Sequence, residues 1–572
     1  MVNLKKLFLL LNKRKLFVMF LLIIIEAICE IVGLGLILPI TYLLLNNDIS
    51  KINFIPDWFK DYLERNLISI DLSLILLVLI SIIILKNIVQ IIYYYYESQY
   101  VWTLKFNVQK KIFSNFIKKK YNFFFIKKSS DIINIINNEI SIFAHLIINC
   151  LYLISDLIIL IFISSLFLFY NFQVYSVLFI SLIFLIFFFY FILKKNMESY
   201  GNKRNFKEVE LTKLTQEAFF GIKDIKIYKA ENFIEKIFYK CTDSLKKLFI
   251  YNSFILRLPK PIIEILALII CFVTIILIFY FYNLKFSNLE ILSFLGLLIA
   301  GMIRVLPAAK RVFSSIQFYK LNSNVINIIF KSADNYFPDS ENKKIQKKIF
   351  YFKNIKIENL CYCYPGEKKY IFYNANLLIR RNNSVGIYSE SGSGKSTFVN
   401  LLSGLLEPTA GNILADGVNI NDDLNDWREN IGYVSQKPFF TNSTILENIG
   451  FGLYKKYINK KRIDALLEFV DLKDLINRLP KKIYTKVGEN GIKFSGGESQ
   501  RIAIARALYF NPSLLIFDES TNSLDFNVEK NILEKIYKIK NKTLIIISHK
   551  LENLKHCDVV YKIAKKKFFK LK

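Results

Sequence analysis

Long apolar runs alternate with lysine-rich segments through the first half of the chain. Each of six runs is long enough to cross a bilayer as a helix, since a helix rises 1.5 Å per residue and the hydrocarbon core needs about 20 residues. The runs lie near residues 16–45, 72–96, 146–170, 174–193, 262–282 and 290–308. This pattern predicts a six-helix membrane domain over residues 1–330, and 53% apolar residues agree with it.

Lysine and arginine are distributed unevenly around these runs. The first 15 residues hold five of them, the segment 97–144 eight and the segment 194–260 fifteen. The connections 46–71, 171–173 and 283–289 hold three, none and one. Because positive loops stay in the cytoplasm, we expect a multi-pass protein of the cytoplasmic (inner) membrane with both termini inside. The net charge of +30 follows these cytoplasmic segments, so no nucleic-acid partner is expected.

The two long cytoplasmic segments mix apolar residues with lysines, which predicts that the membrane helices continue well beyond the bilayer. A polar stretch with Pro338 then marks a linker at 331–349. From residue 350 to 572, strand-like runs such as SVGIYS, LLIF and TLIIIS alternate with helical stretches. That alternation is typical of an α/β domain with parallel strands.

The stretch SVGIYSESGSGKSTF at 384–398 matches the phosphate-binding pattern G-x-x-x-x-G-K-[ST], except that Ser389 replaces the first glycine. In this pattern backbone N–H groups cradle phosphates, the lysine reaches the outer ones and the next hydroxyl binds Mg²⁺. The residues that would bind ATP are Ser391, Gly392, Ser393, Gly394, Lys395, Ser396 and Thr397. Serine suits the first position if its φ is negative. Taken alone, the stretch also fits an ordinary surface loop.

Polar residues follow three further apolar runs. Asp518 ends SLLIFDE, where a carboxylate can orient Mg²⁺, and Glu519 can polarise the water that attacks a phosphate. His549 follows TLIIIS, where it can sense a γ-phosphate, and Gln436 follows IGYVS. Each alone also fits a structural role, such as a helix cap. Their common order with the phosphate loop predicts a site for ATP and Mg²⁺.

The stretch FSGGESQRIAIARAL at 494–508 resembles the signature motif of ATP-binding-cassette proteins. The similarity covers residues 350–565. It implies that Tyr364 stacks on adenine, that Glu519 and His549 are catalytic, and that Gln436 couples nucleotide to transport. The implied Mg²⁺ ligands are Ser396, Gln436 and Asp518.

The same resemblance implies a sandwich of two cassettes. The backbone N–H groups of Ser495, Gly496 and Gly497 in one copy meet the outer phosphate of ATP held by Lys395 and Ser396 in the other, at a helix N-terminus suited to anions. One membrane half and one cassette therefore predict a homodimer, with a heterodimer as the alternative. TKVGENG at 485–491 is similar to a loop of exporters, which implies the type IV exporter architecture.

Four positions depart from the family pattern. Ser389 and Asn382 replace glycines, and asparagine tolerates a positive φ well. Glu498 replaces a glutamine; its charge suits a helix start but lies near phosphate, so we expect at most weaker ATP binding. Asn490 replaces an arginine of the exporter loop, which affects how that loop pairs with the membrane domain.

Stretches of the membrane half also resemble flippases of lipid-linked oligosaccharides from bacterial glycosylation pathways. These stretches are EAICEIVGLGLILPI (26–40), TQEAFFGIKDIKIYKAENF (215–233) and IRVLPAAKRVFSSI (303–316). The resemblance implies that a polyprenyl-pyrophosphate glycan is moved from the inner to the outer leaflet. Export of peptides, lipids or drugs is the alternative, and an ATP-gated regulator that transports nothing is a more distant one.

The first external connection contains PDWFKDYLERN, in which apolar and charged residues separate onto two helical faces. The apolar face holds Trp58, Phe59, Tyr62 and Leu63. We interpret it as an interfacial helix that contacts membrane lipid, as flippases of this type carry one in the same place. Dimer packing or a plain connector is the alternative.

Three cations lie in or beside the apolar runs, namely Lys86, Lys260 and Arg304. Charges there are costly, and in a dimer they would supply six positive charges for a pyrophosphate head group. The alternative is that they snorkel to the interface or are neutralised by carboxylates. The candidate carboxylates are Glu26, Glu30, Asp156 and Glu264.

Overall fold

The computed structural model describes residues 13–36, 40, 72–170, 197–282, 288–332, 352–390, 392–488, 491, 493–519, 526–539 and 541–572. They form two compact units. The first holds the described residues up to 119 and from 127 to 332, and the second holds the segment Lys120–Ile126 and the residues from 352 onward. Of the predicted linker 331–349, only residues 331 and 332 are described, and they end a helix.

The first unit is built from helices. In chain order they are α1 (Lys13–Gly35), α2 (Leu72–Lys118), α4 (Ser129–Asn134), α5 (Ile140–Tyr170), α6 (Met197–Phe220), α7 (Ile222–Ile227), α8 (Glu231–Arg257), α9 (Pro259–Tyr282) and α10 (Asn288–Ser332). The short helix α3 (Phe123–Ile126) lies in the second unit. A π-helical turn, Ile135–Glu139, joins α4 to α5.

Among the described residues, three helical stretches are long and apolar enough to cross a membrane: Arg14–Gly35, Ile75–Lys118 and Ser129–Leu168. Helices α9 and α10 coincide with the predicted fifth and sixth apolar runs. The predicted fourth run lies outside the described residues. Helix α2 continues 22 residues past residue 96, the end of its apolar run, or about 33 Å at the helical rise. That the membrane helices extend beyond the bilayer stays a prediction, with which the length of α2 agrees.

The second unit contains two sheets. Its strands are β1 (Asn354–Tyr362), β2 (Phe372–Arg380), β3 (Ser384–Tyr388), β4 (Ala410–Ala415), β5 (Val418–Asn419), β6 (Ile431–Val434), β7 (Leu514–Asp518), β8 (Thr543–Ser548), β9 (Val559–Ala564) and β10 (Lys567–Lys570). One sheet is antiparallel with the order β2-β1-β4-β5. The other has the order β10-β9-β3-β8-β7-β6 and is parallel from β9 to β6.

Helices surround the six-stranded sheet. They are α11 (Lys395–Leu402), α12 (Leu424–Glu429), α13 (Ile445–Ile449), α14 (Lys460–Phe469), α15 (Lys473–Arg478), α16 (Gly496–Tyr509) and α17 (Phe526–Tyr537). Neighbouring residues of a strand point to opposite faces of the sheet. The buried side chains of β7 therefore pack into two hydrophobic cores, one on each face. Leu515 and Phe517 pack with α16 and α17, whereas Leu514 and Ile516 pack with α11 and the antiparallel sheet. The α/β fold with parallel strands is as predicted.

Candidate ATP site

The candidate site lies at the carboxyl edge of the parallel sheet, the place where such sheets bind ligands. The phosphate loop follows β3, His549 follows β8, Glu519 follows β7 and Gln436 lies two residues after β6. Because β3, β8, β7 and β6 are successive neighbours in the sheet, the strand ends bring these residues together. The chain order, in which β8 comes last of the four, does not reveal this arrangement.

The phosphate loop accommodates serine at its first position. Ser389 is fully buried and is not among the residues with positive φ. Its carbonyl accepts a hydrogen bond of 3.2 Å from Nζ of Lys395. Gly394, the residue before α11, has a φ of +104°, and a Cβ there would lie 2.7 Å from Ile371, so this glycine is required. Asn382 adopts the expected positive φ of 59°. Ser391 lies outside the described residues.

The carboxylate of Glu519 is the point where the predicted catalytic residues meet. It forms an ion pair with Lys395 and accepts a hydrogen bond of 2.9 Å from the side-chain amide of Gln436. Nδ1 of His549 lies 3.9 Å from Glu519 Oε1. The φ of Glu519 is +47°, an uncommon conformation for a residue with a side chain. The backbone N–H of Glu519 donates to the carbonyl of Ile547 on β8, which holds the residue there.

Asp518 has carboxylate oxygens of the kind that metal ions such as Mg²⁺ prefer. It is buried at the end of β7, and burial raises its pKa, an effect that the hydroxyl of Tyr433 opposes by donating to Oδ2 at 3.3 Å. Asp518 forms no ion pair within the described part of the chain, so a divalent cation would compensate its charge. The hydroxyl of Ser396 and the amide oxygen of Gln436 are also hard oxygen ligands, so the three predicted ligands fit Mg²⁺.

Tyr364 is held at the phosphate-loop helix. Its hydroxyl lies 2.9 Å from Oγ1 of Thr397 on α11, and its ring contacts the ring of Tyr362 edge-on with 5.2 Å between centroids. Burial raises the pKa of Tyr362 to about 12. Phe125 of α3 contacts Tyr364 from another direction, with centroids 5.5 Å apart. The resemblance did not indicate this contact with the segment 120–126.

The signature residues form the start of a helix. Ser495 is the N-cap of α16, and its hydroxyl accepts a hydrogen bond of 3.2 Å from the backbone N–H of Glu498. The carboxylate of Glu498 accepts one of 2.8 Å from the backbone N–H of Ser495, completing a capping box. Glu498 therefore caps the helix that begins at Gly496 and Gly497 through a defined hydrogen bond. The sequence predicted only a general effect of its charge at the start of the helix.

Two further contacts tie α16 to the end of β6. The side-chain amide of Gln500 donates to the carbonyl of Gln436 at 3.0 Å, and Gln500 is buried. The guanidinium of Arg506 lies over the rings of Phe440 and Phe451 at 4.8 and 5.1 Å and donates to the carbonyl of Asn448. Burial lowers the pKa of Arg506 to about 10. These contacts connect the signature helix to the segment after Gln436.

Sequence reasoning missed Tyr433, Arg506 and the segment 120–126. The sequence carries a signal for Tyr433. It alternates with Val434 along the strand that leads to Gln436, so the two side chains lie on opposite faces of that strand. Arg506 stands in the apolar helix pattern IAIARAL, where a charged residue among buried neighbours suggests a specific partner.

The three membrane-domain cations are each paired with a carboxylate. Lys86 forms an ion pair with Glu30, and Nε of Arg304 lies 2.8 Å from the other oxygen of the same carboxylate. Lys260 lies 3.9 Å from Glu264. Glu30 and Lys86 are both buried. Each of the three candidate cations thus has a carboxylate partner, and their binding of a pyrophosphate stays a prediction. The neutralised alternative that the sequence left open describes these contacts.

A further ion pair lies nearby, between the buried Asp156 of α5 and the exposed Arg311 of α10. Nη2 of Arg311 lies 2.6 Å from Oδ1 of Asp156, and Nε donates to both carboxylate oxygens at 2.9 Å. Arg311 was not singled out from the sequence, where it ends AAKR in a lysine- and arginine-rich stretch. The predicted interfacial helix with Trp58, Phe59, Tyr62 and Leu63 lies outside the described residues, as does Asn490.

Comparison with known families agrees with both units. Residues 16–304 match the ABC transporter transmembrane region, and residues 372–522 match the ABC transporter family. The chain belongs to the ABC transporter family. A bacterial Atm1-family ABC exporter with ATP bound has the same fold, with a TM-score of 0.80 over 97% of this chain and 95% of that one at 18% identity. The predicted architecture, a helical membrane domain fused to a cassette, is confirmed.

Several ABC transporters are similar to this chain in sequence. The ATP-dependent lipid A-core flippase of Haemophilus influenzae is 36% identical over 36% of this chain and 35% of the flippase. That of Ralstonia nicotianae is 28% identical over 61% of this chain and 59% of its own length. ABC transporter B family member 21 of Arabidopsis thaliana is 35% identical over 36% of this chain and 16% of that protein. In all three the aligned part is under two thirds of the relative.

Proposed function

We propose that this ABC transporter is an exporter that hydrolyses ATP and flips a lipid-linked oligosaccharide, a polyprenyl-pyrophosphate glycan or a related glycolipid, from the inner to the outer leaflet. The observation that carries the hydrolytic part is the position of Glu519. Its carboxylate lies within reach of Lys395, Gln436 and His549, directly after the buried Asp518. A carboxylate so placed can orient a water molecule for attack on a phosphate.

Each residue has a definable task in that reaction. Lys395 binds the outer phosphates of ATP, since its Nζ is free to leave Glu519 when a stronger anion is present. Ser396, Gln436 and Asp518 would hold Mg²⁺, which would neutralise charge on the phosphates. Glu519 polarises the attacking water, and His549 contacts the γ-phosphate. Tyr364 offers its ring to adenine.

The complete site requires a second chain. The signature N–H groups at Ser495, Gly496 and Gly497 lie at the start of α16, where a helix favours anions. In the proposed sandwich they bind the phosphate held by the other copy, so the working unit is a homodimer. The charge distribution of the sequence supports the cytoplasmic membrane as its location, with both cassettes and both termini inside.

Two observations favour a lipid-linked substrate over a soluble one. Relatives from Haemophilus influenzae and Ralstonia nicotianae are named ATP-dependent lipid A-core flippases, which names a lipid as what they move. The predicted apolar face of Trp58, Phe59, Tyr62 and Leu63 suits contact with a lipid at the outer leaflet. Peptide or drug export is the second candidate, and the names of the B-family relatives state no substrate.

Substrate-stimulated hydrolysis in proteoliposomes tests the proposal. The purified chain is reconstituted, and its ATPase rate is measured with polyprenyl-pyrophosphate oligosaccharide, lipid A-core, a hydrophobic peptide or a cationic drug. We expect stimulation by the first and transfer of its glycan to the opposite leaflet, both lost in Glu519→Gln. Stimulation by peptide or drug alone would assign the chain to the second candidate. Nucleotide-dependent conductance without stimulation would identify a regulator or channel.

A further inference from the structure

Tyr433 on β6 touches the predicted metal ligand on the next strand. Strands β6 and β7 are parallel neighbours, and Tyr433 lies opposite Ile516 in their register. Asp518 lies two residues further along β7, hence on the same face of the sheet as Ile516. The hydroxyl of Tyr433 donates to Oδ2 of Asp518 at 3.3 Å.

This hydrogen bond occupies one carboxylate oxygen of Asp518, Oδ2, and leaves the other, Oδ1, available for a ligand. Within the described part of the chain, Oδ1 of Asp518 has no hydrogen-bond partner. A tyrosine hydroxyl is protonated at neutral pH and can donate, whereas a carboxylate can only accept. The donated bond therefore restrains the rotation of the carboxylate without occupying the oxygen that a metal ion needs. Fixing a metal ligand through its second oxygen is a recurring way to orient metal sites.

We propose that Tyr433 is a positioning residue for Mg²⁺, which holds Asp518 in the orientation that binds the metal of the MgATP complex. This inference rests on the proposed ATP site and adds a residue that no motif assigns. Tyr433 precedes Gln436 by three residues, so one short segment carries both a predicted metal ligand and the group that orients another.

The test measures metal binding directly. Tyr433→Phe keeps the ring and removes the hydroxyl, and Tyr537→Phe is the matched control. Tyr537→Phe also loses a partly buried hydrogen bond, of 2.8 Å to the carbonyl of Asn553, but in a different part of the cassette. Mn²⁺ replaces Mg²⁺ as a spectroscopic probe, and its binding to the full-length protein with ADP is followed by electron paramagnetic resonance. ADP affinity in the presence of EDTA is measured alongside.

We expect Tyr433→Phe to raise the Mn²⁺ concentration at half-saturation about threefold to tenfold, the range for loss of one hydrogen bond, with metal-free ADP binding unchanged. Tyr537→Phe should leave both quantities at the wild-type value. A shift below about twofold in Tyr433→Phe overturns the proposal, because the ring without its hydroxyl would then be enough for metal binding. An equal fall in metal-free ADP binding also overturns it, because the hydroxyl would then support nucleotide binding in general and not the metal ion.

Asp518→Asn separates this inference from the proposed site. Loss of Mn²⁺ binding in Asp518→Asn, combined with normal binding in Tyr433→Phe, overturns the role of Tyr433 and leaves the ATP site standing. Normal Mn²⁺ binding in Asp518→Asn overturns the metal site itself and the inference with it. Melting temperatures of all variants without nucleotide show whether each is folded. If Tyr433→Phe does not fold, Tyr433→Leu, which also lacks a donor, should bind Mn²⁺ more weakly than the wild type, and wild-type binding in it would contradict the proposal.

Discussion

The ring of Phe125 contacts the ring of Tyr364 edge-on, with 5.5 Å between centroids and 74° between planes. Phe125 belongs to α3, a one-turn helix that packs with the cassette, and Tyr364 is the predicted adenine-binding aromatic. The hydroxyl of Tyr364 reaches Thr397 on the phosphate-loop helix. Nζ of Lys120 lies 2.7 Å from a carboxylate oxygen of Glu407, which anchors the same segment. The base side of the candidate site is thus built partly by a segment from the membrane half of the sequence.

The first prediction follows from this ring contact. In Phe125→Ala, Tyr364 loses an aromatic neighbour worth about 1 kcal/mol, which corresponds to roughly a fivefold loss of ATP affinity if the ring must be held for stacking. Binding of a fluorescent ATP analogue to the purified transporter measures this. Phe124→Ala is the matched control, since Phe124 lies on the same turn and its ring contacts Phe123. Equal losses in both variants would point to general unfolding of α3 instead.

The second prediction concerns hydrolysis. Glu519→Gln removes the carboxylate that polarises water but leaves Lys395 and the predicted Mg²⁺ ligands in place. We therefore expect ATP to bind and its hydrolysis to be almost abolished. Binding should not weaken, because Lys395 loses its ion-pair partner and becomes more available to phosphate. Single-turnover hydrolysis and equilibrium ATP binding measure the two effects. Undiminished ATPase in this variant would remove Glu519 from the mechanism.

The strands that position the site could be predicted from local pattern. The apolar runs SVGIYS, LLIF and TLIIIS correspond to β3, β7 and β8, because buried parallel strands carry continuous apolar residues. The polar residues after them were predicted for the same reason, since a charged residue that ends such a run must lie at a sheet edge. The positive φ predicted for Asn382 is present as well.

Contacts that depend on how elements pack could not be predicted. The bond from Tyr433 to Asp518 exists only because β6 lies beside β7, although 79 residues separate the two strands in sequence. The pairing of Lys86 and Arg304 with one carboxylate depends on the packing of α1, α2 and α10, and helical periodicity does not state which faces meet. The sequence suggested both the cations and their possible partners, but not the pairs.

The third prediction concerns the external stretch, which lies outside the described residues. Replacing Trp58, Phe59 and Leu63 with serine should impair translocation of a lipid-linked glycan and leave basal ATPase nearly unchanged, since an interfacial face contacts lipid. A glycan-accessibility assay in proteoliposomes gives the first quantity and phosphate release the second. The matched control replaces Asp57, Lys60 and Glu64 on the charged face. If both rates fall together, the apolar face serves folding or dimer packing.

The last prediction decides between two roles for Lys86 and Arg304. Both contact Glu30, which is buried, so Lys86→Gln with Arg304→Gln leaves that carboxylate without a counter-charge. An uncompensated buried charge costs about 3–5 kcal/mol, and the double variant should melt at a lower temperature than the wild type. Loss of transport in this variant alone therefore says nothing about substrate binding.

Adding Glu30→Gln to the double variant separates the roles. The triple variant removes the carboxylate of Glu30 together with both of its cationic partners, and replacing a whole ion-pair group in this way is often close to neutral for stability. If the cations serve only the carboxylate, the triple variant should regain both its melting temperature and the stimulation of ATPase by the pyrophosphate-linked glycan. If they also bind the pyrophosphate, stability should return while stimulation stays absent, because the phosphate oxygens would lack their cations. The contacts of Glu30 with both side chains lead us to expect recovery of both.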